Sequence, residues 1–284
     1  MKKTIIAAAL VAAAAVALTG CSSSGSSGSV QLKVVGKPFS TERYGVGLPK
    51  DTPYCDQVNQ AIKAMIDDGT WKQKLDAEMK GVIYTPNATE NPPTAFETCA
   101  APGTAKNVTD GKLTIGIKFD QPHLGFKDGN TYTGFDVDVA TYVAGKLGYT
   151  PDQLVFVESV SAQRETMLQN HQVDMIFATY SITAARAEKV QFAGPYFVAG
   201  QDLLVKSDNT KVTGPDTMNG LKLCSVTGST PAQKIKDKYA SEVQLVEAKT
   251  YSECVTMLNT GKVDAVTTDD IILAGLAAQA AAKK

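Results

Sequence analysis

Short apolar runs alternate with segments of helical period from residue 113 to residue 278. The apolar runs have strand length, and the segments between them repeat apolar residues every three or four positions, as on one face of a helix. This alternation predicts an α/β fold with mostly parallel sheets that helices cover on both faces. The predicted strands are Leu113–Phe119, Leu154–Val157, Val173–Ala178, Gln201–Val205, Lys222–Val226, Val243–Val246 and Val263–Thr267. The predicted helices are Asp136–Leu147, Ala162–Gln169, Ala184–Val190, Pro231–Tyr239, Tyr251–Leu258 and Ile271–Ala278.

A polar crossing divides this pattern into two lobes. Residues 207–220 are polar and contain Pro and Gly, which predicts a connection between two separate α/β units. Residues 84–111 have no periodic pattern and are rich in Pro, Thr, Asn and Gly, so we expect a surface linker there. The elements predicted before that linker are the strands Val30–Val35 and Tyr44–Leu48 and the helices Asp56–Asp67 and Trp71–Met79.

The first residues are typical of an export signal. Two lysines precede an alanine-rich apolar run that ends in Leu18-Thr19-Gly20-Cys21, and small residues before a Cys are typical of a bacterial lipobox. We therefore expect a signal peptide at 1–20, lipidation of Cys21 and a lipid-anchored flexible linker at 21–29. Ordinary signal cleavage nearby is the alternative. No later segment is apolar over enough residues to span a bilayer.

Composition narrows the class of protein. Of the 284 residues 43% are apolar and 20% charged, which is ordinary for a soluble globular protein long enough for two domains. The net charge of −1 gives no indication of nucleic acid as a partner. Two histidines, with no HExxH and no CxxC motif, indicate neither a metal nor another cofactor. Four cysteines remain besides Cys21, and an even number in an exported protein favours disulfides.

Polar residues collect where the predicted strands end. Ligands of α/β folds bind at the C-terminal ends of strands, so these ends predict one cleft. Thr230 is the expected N-cap of a helix that starts with Pro231, and the exposed N–H groups of such a terminus also bind anions. One of Asp269 and Asp270 caps the next helix, and the other either meets a cation or is solvated. The polar segments are Lys118–Gln121, Ser161–Arg164, Thr179–Thr183, Thr227–Pro231 and Thr267–Asp270.

Arg186 stands in the first turn of the helix that Thr183 is expected to cap. A cation at that position opposes the helix dipole, so the helix itself does not explain it. Either an anion is held beside Arg186, or Arg186 forms a surface ion pair with Glu188 or with an aspartate elsewhere. The residues alone leave both interpretations open.

Nine motifs carry a more specific signal: IGIKFDQPHLGF, TGFDVDVA, SAQRETMLQN, YSITAARAEKVQFAGPYF, LCSVTGSTPAQ, YSECV, DAVTTDD, YGVGLPK and DGTWKQKL. Together they resemble the polar amino-acid-binding proteins of bacterial ABC uptake systems, the family 3 solute-binding type, and among them the actinobacterial glutamate-binding lipoproteins. The resemblance covers nearly everything after residue 30. It implies a two-lobed periplasmic-binding-protein-like fold of type II.

The resemblance also implies a ligand-binding role for residues at the strand ends. Arg186 would clamp the ligand α-carboxylate with two hydrogen bonds, and Asp269 would meet the α-ammonium. Cys224–Cys254 resembles the usual disulfide of the family, which leaves Cys55–Cys99 as the second expected pair. The expected ligand-binding residues are Lys118, Gln121, Ser161, Arg164, Thr179, Ser181, Arg186, Ser229, Thr230 and Asp269.

One feature departs from the family pattern. YGVGLPK and DGTWKQKL follow DAVTTDD in the family, whereas here they precede IGIKFDQP. That order implies a circular permutation in which linker 84–111 joins the old tail to the old start; a changed topology is the alternative. The expected crossings lie near Tyr44–Gly47 and Val205–Asn209. The expected division is lobe 1 at 45–207, with lobe 2 formed by 30–44 and 208–284.

The leading functional interpretation is a monomeric, lipid-anchored receptor on the outer face of the cell membrane. It would deliver L-glutamate to an ABC permease and would not be an enzyme. Lys118 and Arg164 favour glutamate, because two further cations near a cleft are costly to bury without an anion. If instead Arg164 pairs with Glu158 or Glu165, and Lys118 with Asp120, glutamine or asparagine is favoured. An aspartate receptor, a dehydratase-like enzyme on this fold and a sensory module are competing interpretations.

Overall fold

The computed structural model describes residues 31–239 and 243–282 of the chain. The expected signal peptide, the lipidation residue Cys21 and the linker 21–29 lie outside these residues. Among the residues described, no helix is long and apolar enough to cross a membrane.

The described chain alternates between strands and helices, as the sequence pattern predicts. The strands are β1 (Leu32–Val34), β2 (Glu42–Leu48), β3 (Leu113–Ile117), β4 (Asp120–Gln121), β5 (Gly125–Asp128), β6 (Thr131–Thr133), β7 (Leu154–Glu158), β8 (Met175–Phe177), β9 (Gln191–Ala199), β10 (Gln201–Lys206), β11 (Lys222–Val226), β12 (Gln244–Ala248) and β13 (Ala265–Asp269). The helices are α1 (Cys55–Asp67), α2 (Thr70–Glu78), α3 (Phe135–Lys146), α4 (Arg164–Gln169), α5 (Ala184–Ala187), α6 (Thr230–Tyr239), α7 (Tyr251–Asn259) and α8 (Asp270–Ala282).

Sheet I has the strand order β7–β3–β8–β2–β9. Strand β3 is parallel to β7 and β8, whereas β2 runs antiparallel to β8 and β9. Strand β8 is buried on both faces: Met175 and Phe177 pack into one hydrophobic cluster and Ile176 into another. Successive side chains of a strand point to opposite faces, which explains the continuous apolar run in its sequence.

Sheet II has the strand order β1–β10–β13–β11–β12. Strand β11 is parallel to β12 and β13, and β10 runs antiparallel to β13 and β1. Leu203 and Val205 pack on one face, whereas Leu204 packs on the other with α8. A three-stranded ribbon, β4–β5–β6, follows β3 along the chain, and the two strands β5 and β6 are absent from the predicted elements.

The chain passes between the sheets earlier than predicted. Strand β9 of sheet I ends at Ala199 and strand β10 of sheet II begins at Gln201, so Gly200 alone forms one crossing. The other lies between Val34 and Glu42, because Glu42 already pairs with Ala199. The expected crossings at Tyr44–Gly47 and Val205–Asn209 are therefore wrong: the first lies inside β2 of sheet I, and the second begins inside β10, which already belongs to sheet II. The division into two lobes stays a prediction.

Gly200 is required by the packing of the two crossings. A Cβ atom at this position would lie 2.6 Å from Pro38 Cβ and 3.0 Å from the Ser40 carbonyl oxygen. The amide of Phe39 also donates to the Gln201 carbonyl at 2.9 Å. The two connections between the sheets thus run side by side in contact.

Residues 42–78 are part of the body built on sheet I. Strand β2 lies between β8 and β9, and α1 packs on β9 and α3. Trp71 of α2 stacks on Phe197 and donates its indole N–H to the Tyr196 carbonyl at 2.7 Å. This placement agrees with the hypothesis of a permuted chain, but the permutation itself stays a prediction.

Both expected disulfides are present. Cys55–Cys99 ties the start of α1 to the 84–111 segment, and Cys224–Cys254 ties β11 to α7. The second bond therefore fixes α7 against the sheet strand whose C-terminal end carries polar residues.

Candidate functional site

A narrow cavity lies between the strand ends of the two sheets, and its volume of about 10 Å³ leaves room for about one water molecule. Its walls come from both sheets and from the helices that follow β11, β12 and β13. Eight of the ten expected ligand-binding residues line it, whereas Lys118 and Arg186 do not. The lining residues are Gln121, Ser161, Arg164, Thr179, Ser181, Ser229, Thr230, Pro231, Tyr251, Asp269 and Ile272.

Arg164 is a buried cation in the wall of this cavity. Its guanidinium donates to the carbonyls of Ser161 at 3.3 Å, Ala178 at 3.0 Å and Gly228 at 3.5 Å. Burial, together with the nearby Arg186 charge, lowers the pKa of Arg164 to about 10. Within the described chain no carboxylate lies within salt-bridge distance of Arg164. Its hydrogen bonds therefore go to carbonyl dipoles and not to an anion.

Arg186 lies behind the wall, where protein acceptors occupy most of its N–H groups. Nε pairs with Glu165 Oε1 at 3.0 Å. Nη1 donates to the Ser181 carbonyl at 2.8 Å and to Thr230 Oγ1 at 2.7 Å, and Nη2 donates to the Gly228 carbonyl at 2.9 Å. These contacts join the sheet I side of the cavity to the sheet II side.

The structure gives Arg186 an ion-pair partner that the sequence did not suggest. Its partner is Glu165, and not the sequence neighbour Glu188. Arg164 is within salt-bridge distance of neither of its two candidates, Glu158 and Glu165, in the described chain. The pairing of Lys118 with Asp120, in contrast, is realised with an Nζ–Oδ1 distance of 3.6 Å.

Tyr180 and Gly228 bring the two guanidinium groups together. The Tyr180 ring centre lies 4.2 Å from Arg164 Cζ and 5.0 Å from Arg186 Cζ, a geometry in which the ring face attracts cations. Gly228 has φ +79°, and a Cβ there would lie 2.6 Å from Ala162 Cα. Only glycine allows the Gly228 carbonyl to approach both arginines this closely.

Asp269 is a buried carboxylate with one unused oxygen. Tyr44 donates its hydroxyl to Oδ2 at 2.6 Å, whereas Oδ1 has no hydrogen-bond partner in the described residues. Burial, and next the Glu42 carboxylate, raise the pKa of Asp269 well above its usual range. Asp270, in contrast, accepts hydrogen bonds from backbone amides at the start of α8. Its carboxylate accepts from the Gly200 amide at 3.3 Å and from the Ile271 amide at 2.7 Å.

The N-cap of α6 is not the residue that the sequence predicted. Ser229, and not Thr230, caps the helix, because Ser229 Oγ accepts from the Ala232 amide at 3.1 Å. Thr230 is the first residue of α6, and its hydroxyl accepts from Arg186. Neighbouring hydroxyls cannot be told apart by cap preference alone.

Lys118, Gln121 and Thr179 lie on the sheet I side. Thr179 Oγ1 donates to Gln121 Oε1 at 3.1 Å, and Thr179 itself has φ +44°, an uncommon backbone conformation that is enriched at functional sites. Its amide donates to Asp136 Oδ2 at 2.9 Å. Lys118 is fully buried, and burial lowers its pKa although the Asp120 charge opposes part of this effect.

Two lining residues, Tyr251 and Ile272, lie outside the polar segments that the sequence predicted for the cleft. Both lie in the first turn of a helix that follows a strand end, so the rule that placed the other segments also applies to them. Tyr251 starts α7 after its cap Thr250. The arrangement places one guanidinium group, one free carboxylate oxygen and several hydroxyls in the wall, with the Arg186 guanidinium next to it. These groups are complementary to a small molecule that carries both charges.

Comparisons with known proteins identify relatives of this chain. The family model described as bacterial extracellular solute-binding proteins, family 3, matches residues 113–222. Glutamate-binding protein GluB of Corynebacterium glutamicum is 50% identical over 178 residues, 61% of this chain and 60% of that protein. A glutamine-binding protein of Geobacillus stearothermophilus is 38% identical over 186 residues, 64% of this chain and 71% of that protein.

A solved structure, an ancestral arginine-binding protein bound to arginine, is similar with a TM-score of 0.56 and 33% identity. The similarity covers 60% of this chain and 74% of that one. The match with the Corynebacterium protein spans 60% of that protein's length. The remaining two fifths of that relative lie outside the match.

Proposed function

Because this chain belongs to the bacterial extracellular solute-binding proteins of family 3, we propose that it binds L-glutamate in the cavity between its two sheets. The α/β fold is that of type II periplasmic amino-acid-binding proteins. The relatives of this chain named above are binding proteins and not enzymes. Delivery of the amino acid to a membrane permease is part of the same proposal.

The single observation that carries the choice of glutamate is Arg164. It is buried in the cavity wall without a carboxylate partner in the described chain, and a ligand side-chain carboxylate would supply one. The identity of 50% with a glutamate-binding protein supports the same choice. The free oxygen of Asp269 would take the α-ammonium, and the remaining N–H of Arg186 Nη2 would take part in holding the α-carboxylate.

Glutamine is the second candidate, on the strength of Lys118. Its ammonium group already faces Asp120 at 3.6 Å, so it is not available as a separate cation for the ligand. A glutamine-binding relative of 38% identity points the same way. Arg164 then remains as the one cation for the ligand side chain, and the amide oxygen of glutamine also accepts hydrogen bonds from a guanidinium group.

Calorimetric titration of the purified protein with each of the twenty amino acids tests the proposal. L-glutamate should bind tightest, followed by glutamine, asparagine or aspartate. Aspartate is one methylene shorter, a difference worth about 1–3 kcal/mol in a fitted pocket. Tighter binding of glutamine than of glutamate would replace the first candidate with the second.

Anchoring at the membrane belongs to the proposal and rests on the lipobox sequence alone. Cys21 would carry the lipid, the protein would act as a monomer on the extracytoplasmic face, and linker 21–29 would give it reach. Cys21→Ser should release the protein from the membrane fraction. Failure of a fatty-acid probe to label the wild type would reject the anchor without touching the binding proposal.

A further inference from the structure

Lys118 and Asp120 form a buried pair that reaches across to the other side of the cavity. Lys118 follows β3, Asp120 begins β4, and both side chains are almost completely buried. One carboxylate oxygen of Asp120, Oδ1, faces Lys118 Nζ at 3.6 Å. The other, Oδ2, accepts from the backbone amides of Tyr251 at 2.6 Å and Ser252 at 3.4 Å.

These two amides belong to the first turn of α7, which packs on sheet II. A carboxylate at a helix N-terminus satisfies N–H groups that have no partner within the helix and interacts favourably with the helix dipole. Thr250 caps the same helix through the amide of Glu253 at 3.1 Å. The first turn of α7 is therefore held by its own cap and, in addition, by a carboxylate from the sheet I side.

Tyr251 is the residue that this contact positions. Tyr251 lines the cavity, and its hydroxyl accepts from Thr268 Oγ1 at 2.6 Å. Thr268 directly precedes Asp269 in β13. Asp120 thus fixes the backbone of Tyr251, and Thr268 fixes the far end of its side chain.

Lys118 completes the arrangement without reaching the cavity. Its Nζ lies 5.7 Å from the Tyr251 ring centre and has no hydrogen-bond partner in the described residues, and Lys118 is not among the residues that line the cavity. Asp120 is the nearest carboxylate that the structure pairs with it. Its position therefore suits neutralisation of Asp120 better than contact with a ligand.

The geometry points to Lys118 and Asp120 as one positioning unit, in which Asp120 holds α7 and Tyr251 against the cavity and Lys118 balances the Asp120 charge. This inference rests on the proposed function, that the cavity binds an amino acid. It assigns Lys118 a role different from the ligand contact that the family resemblance implies.

Because Lys118 and Asp120 carry opposite charges, single and double substitutions of the pair should affect ligand binding differently. Removing one partner of a buried pair leaves the other charge uncompensated, whereas replacing both with neutral residues of similar volume is often tolerated. Lys118→Met keeps the unbranched apolar stem. Asp120→Asn keeps an acceptor oxygen for the Tyr251 amide but removes the charge.

Calorimetry on four proteins measures this pattern: wild type, each single variant and the double variant, with glutamate and glutamine. Each single variant should bind glutamate about thirtyfold or more weaker. The double variant should return to within about fivefold of wild type with an unchanged glutamate-to-glutamine affinity ratio. Lys127→Met is the matched control. Its Nζ also lies over a ring, 5.4 Å from the Tyr132 centre, but it is exposed, so it should leave both affinities unchanged.

A direct contact between Lys118 and the ligand would give a different set of affinities. If Lys118→Met weakens glutamate binding equally with and without Asp120→Asn, and also abolishes the preference over glutamine, Lys118 contacts the ligand and the inference is wrong. The wild-type titration comes first and decides the proposed function by itself. If another amino acid binds tightest, the same four proteins are compared with that amino acid.

Hydrogen exchange supplies a readout that needs no ligand. In the ligand-free protein, Lys118→Met should speed exchange of the Tyr251 amide at least about fivefold relative to the Gly261 amide at the other end of α7, because Asp120 loses its counter-charge. A ligand contact would leave the Tyr251 amide unaffected in the absence of ligand. Unchanged exchange would therefore overturn the inference even if the variant binds poorly.

Discussion

The hydroxyl of Tyr44 donates a 2.6 Å hydrogen bond to Asp269, 225 positions later in the chain. The bond joins β2 of sheet I to β13 of sheet II at the edge of the cavity. It is the only hydrogen bond to the Asp269 carboxylate among the described residues, because Oδ1 has none.

Tyr44→Phe should therefore destabilise the ligand-free protein by about 1–3 kcal/mol, the usual effect of leaving a buried polar group without its partner. Urea unfolding measures the change. Tyr142→Phe is the control, since the Tyr142 hydroxyl donates to Asp68 on the exposed surface. Equal effects of the two substitutions would show that burial of Asp269 does not matter.

Arg164→Ala should weaken glutamate binding by at least about tenfold and glutamine binding less, because loss of a buried charge partner costs about 2–5 kcal/mol. Calorimetry with both ligands gives the two ratios. Arg43→Ala removes a half-exposed arginine that pairs with Glu97 at 2.8 Å, so it should change neither. Intact glutamate affinity in Arg164→Ala would contradict the assignment of this residue to the ligand side chain.

Asp136 should make stability fall as the pH rises. Burial raises its pKa to about 6, although Tyr196 and the Thr179 amide donate hydrogen bonds to it. The folded carboxyl thus binds its proton more tightly than the unfolded one. This contribution is complete below about pH 4 and is lost as the pH rises through about 6, in total about 3 kcal/mol.

Asp136→Asn should flatten that part of the profile, measured as the free energy of unfolding in urea at pH 4 and pH 7. The amide can keep both contacts, with its oxygen toward the Thr179 amide and its NH₂ group toward the Tyr196 oxygen. A wild type that gains stability between these pH values relative to the variant would contradict the raised pKa.

The two disulfides should differ in their effect on binding. Removal of either by paired Cys→Ser substitution should lower stability by about 3–4 kcal/mol, given sequence separations of 30 and 44 residues. Only Cys224→Ser with Cys254→Ser should also weaken amino-acid binding, because that bond holds α7 and Tyr251. The Cys55 and Cys99 pair is the control, and an equal loss of affinity in both double variants would speak against this distinction.

A reordered chain tests the permutation. It would begin at Lys112, continue through Ala282 and join residues 31–111 by a short Gly/Ser linker. The join is feasible because α8 packs on β1, and Gln31 and Ala281 line one further cavity of about 600 Å³. The reordered protein should give the same circular dichroism spectrum, and its glutamate affinity should lie within about threefold of the parent. An unfolded product would favour a changed topology.

Elements that depend on nearby residues could be predicted from the sequence. Thr183 caps α5 as expected and accepts from the Arg186 amide at 3.3 Å, since a cap acts within three positions. The strand-end rule also placed most of the cavity wall, because the ends of parallel strands meet at one edge of a sheet. The exact helix length was less predictable: α5 ends at Ala187, three residues early, where the chain turns into β9.

Features that depend on tertiary packing could not be predicted. Strand β9 is absent from the predicted elements: all nine of its residues are buried, so it lacks the alternation that marks a half-buried strand, and it contains a proline, which is uncommon inside a sheet. The pairing of Arg186 with Glu165 joins two helices that no local pattern relates. The Lys118–Asp120 pair is close in sequence, but its contact with α7 depends on a separation of 131 positions.

The environment of Trp71 gives this protein an optical label of its own. It is the one tryptophan in the sequence, and it is almost completely buried. Its indole N–H is bonded to Tyr196, whose hydroxyl is bonded to Asp136, the carboxylate that holds the Thr179 amide at the cavity. Fluorescence excited at the red edge of the aromatic band therefore comes from a single site. That site lies three residues away, along a continuous hydrogen-bonded path, from where an amino acid would bind.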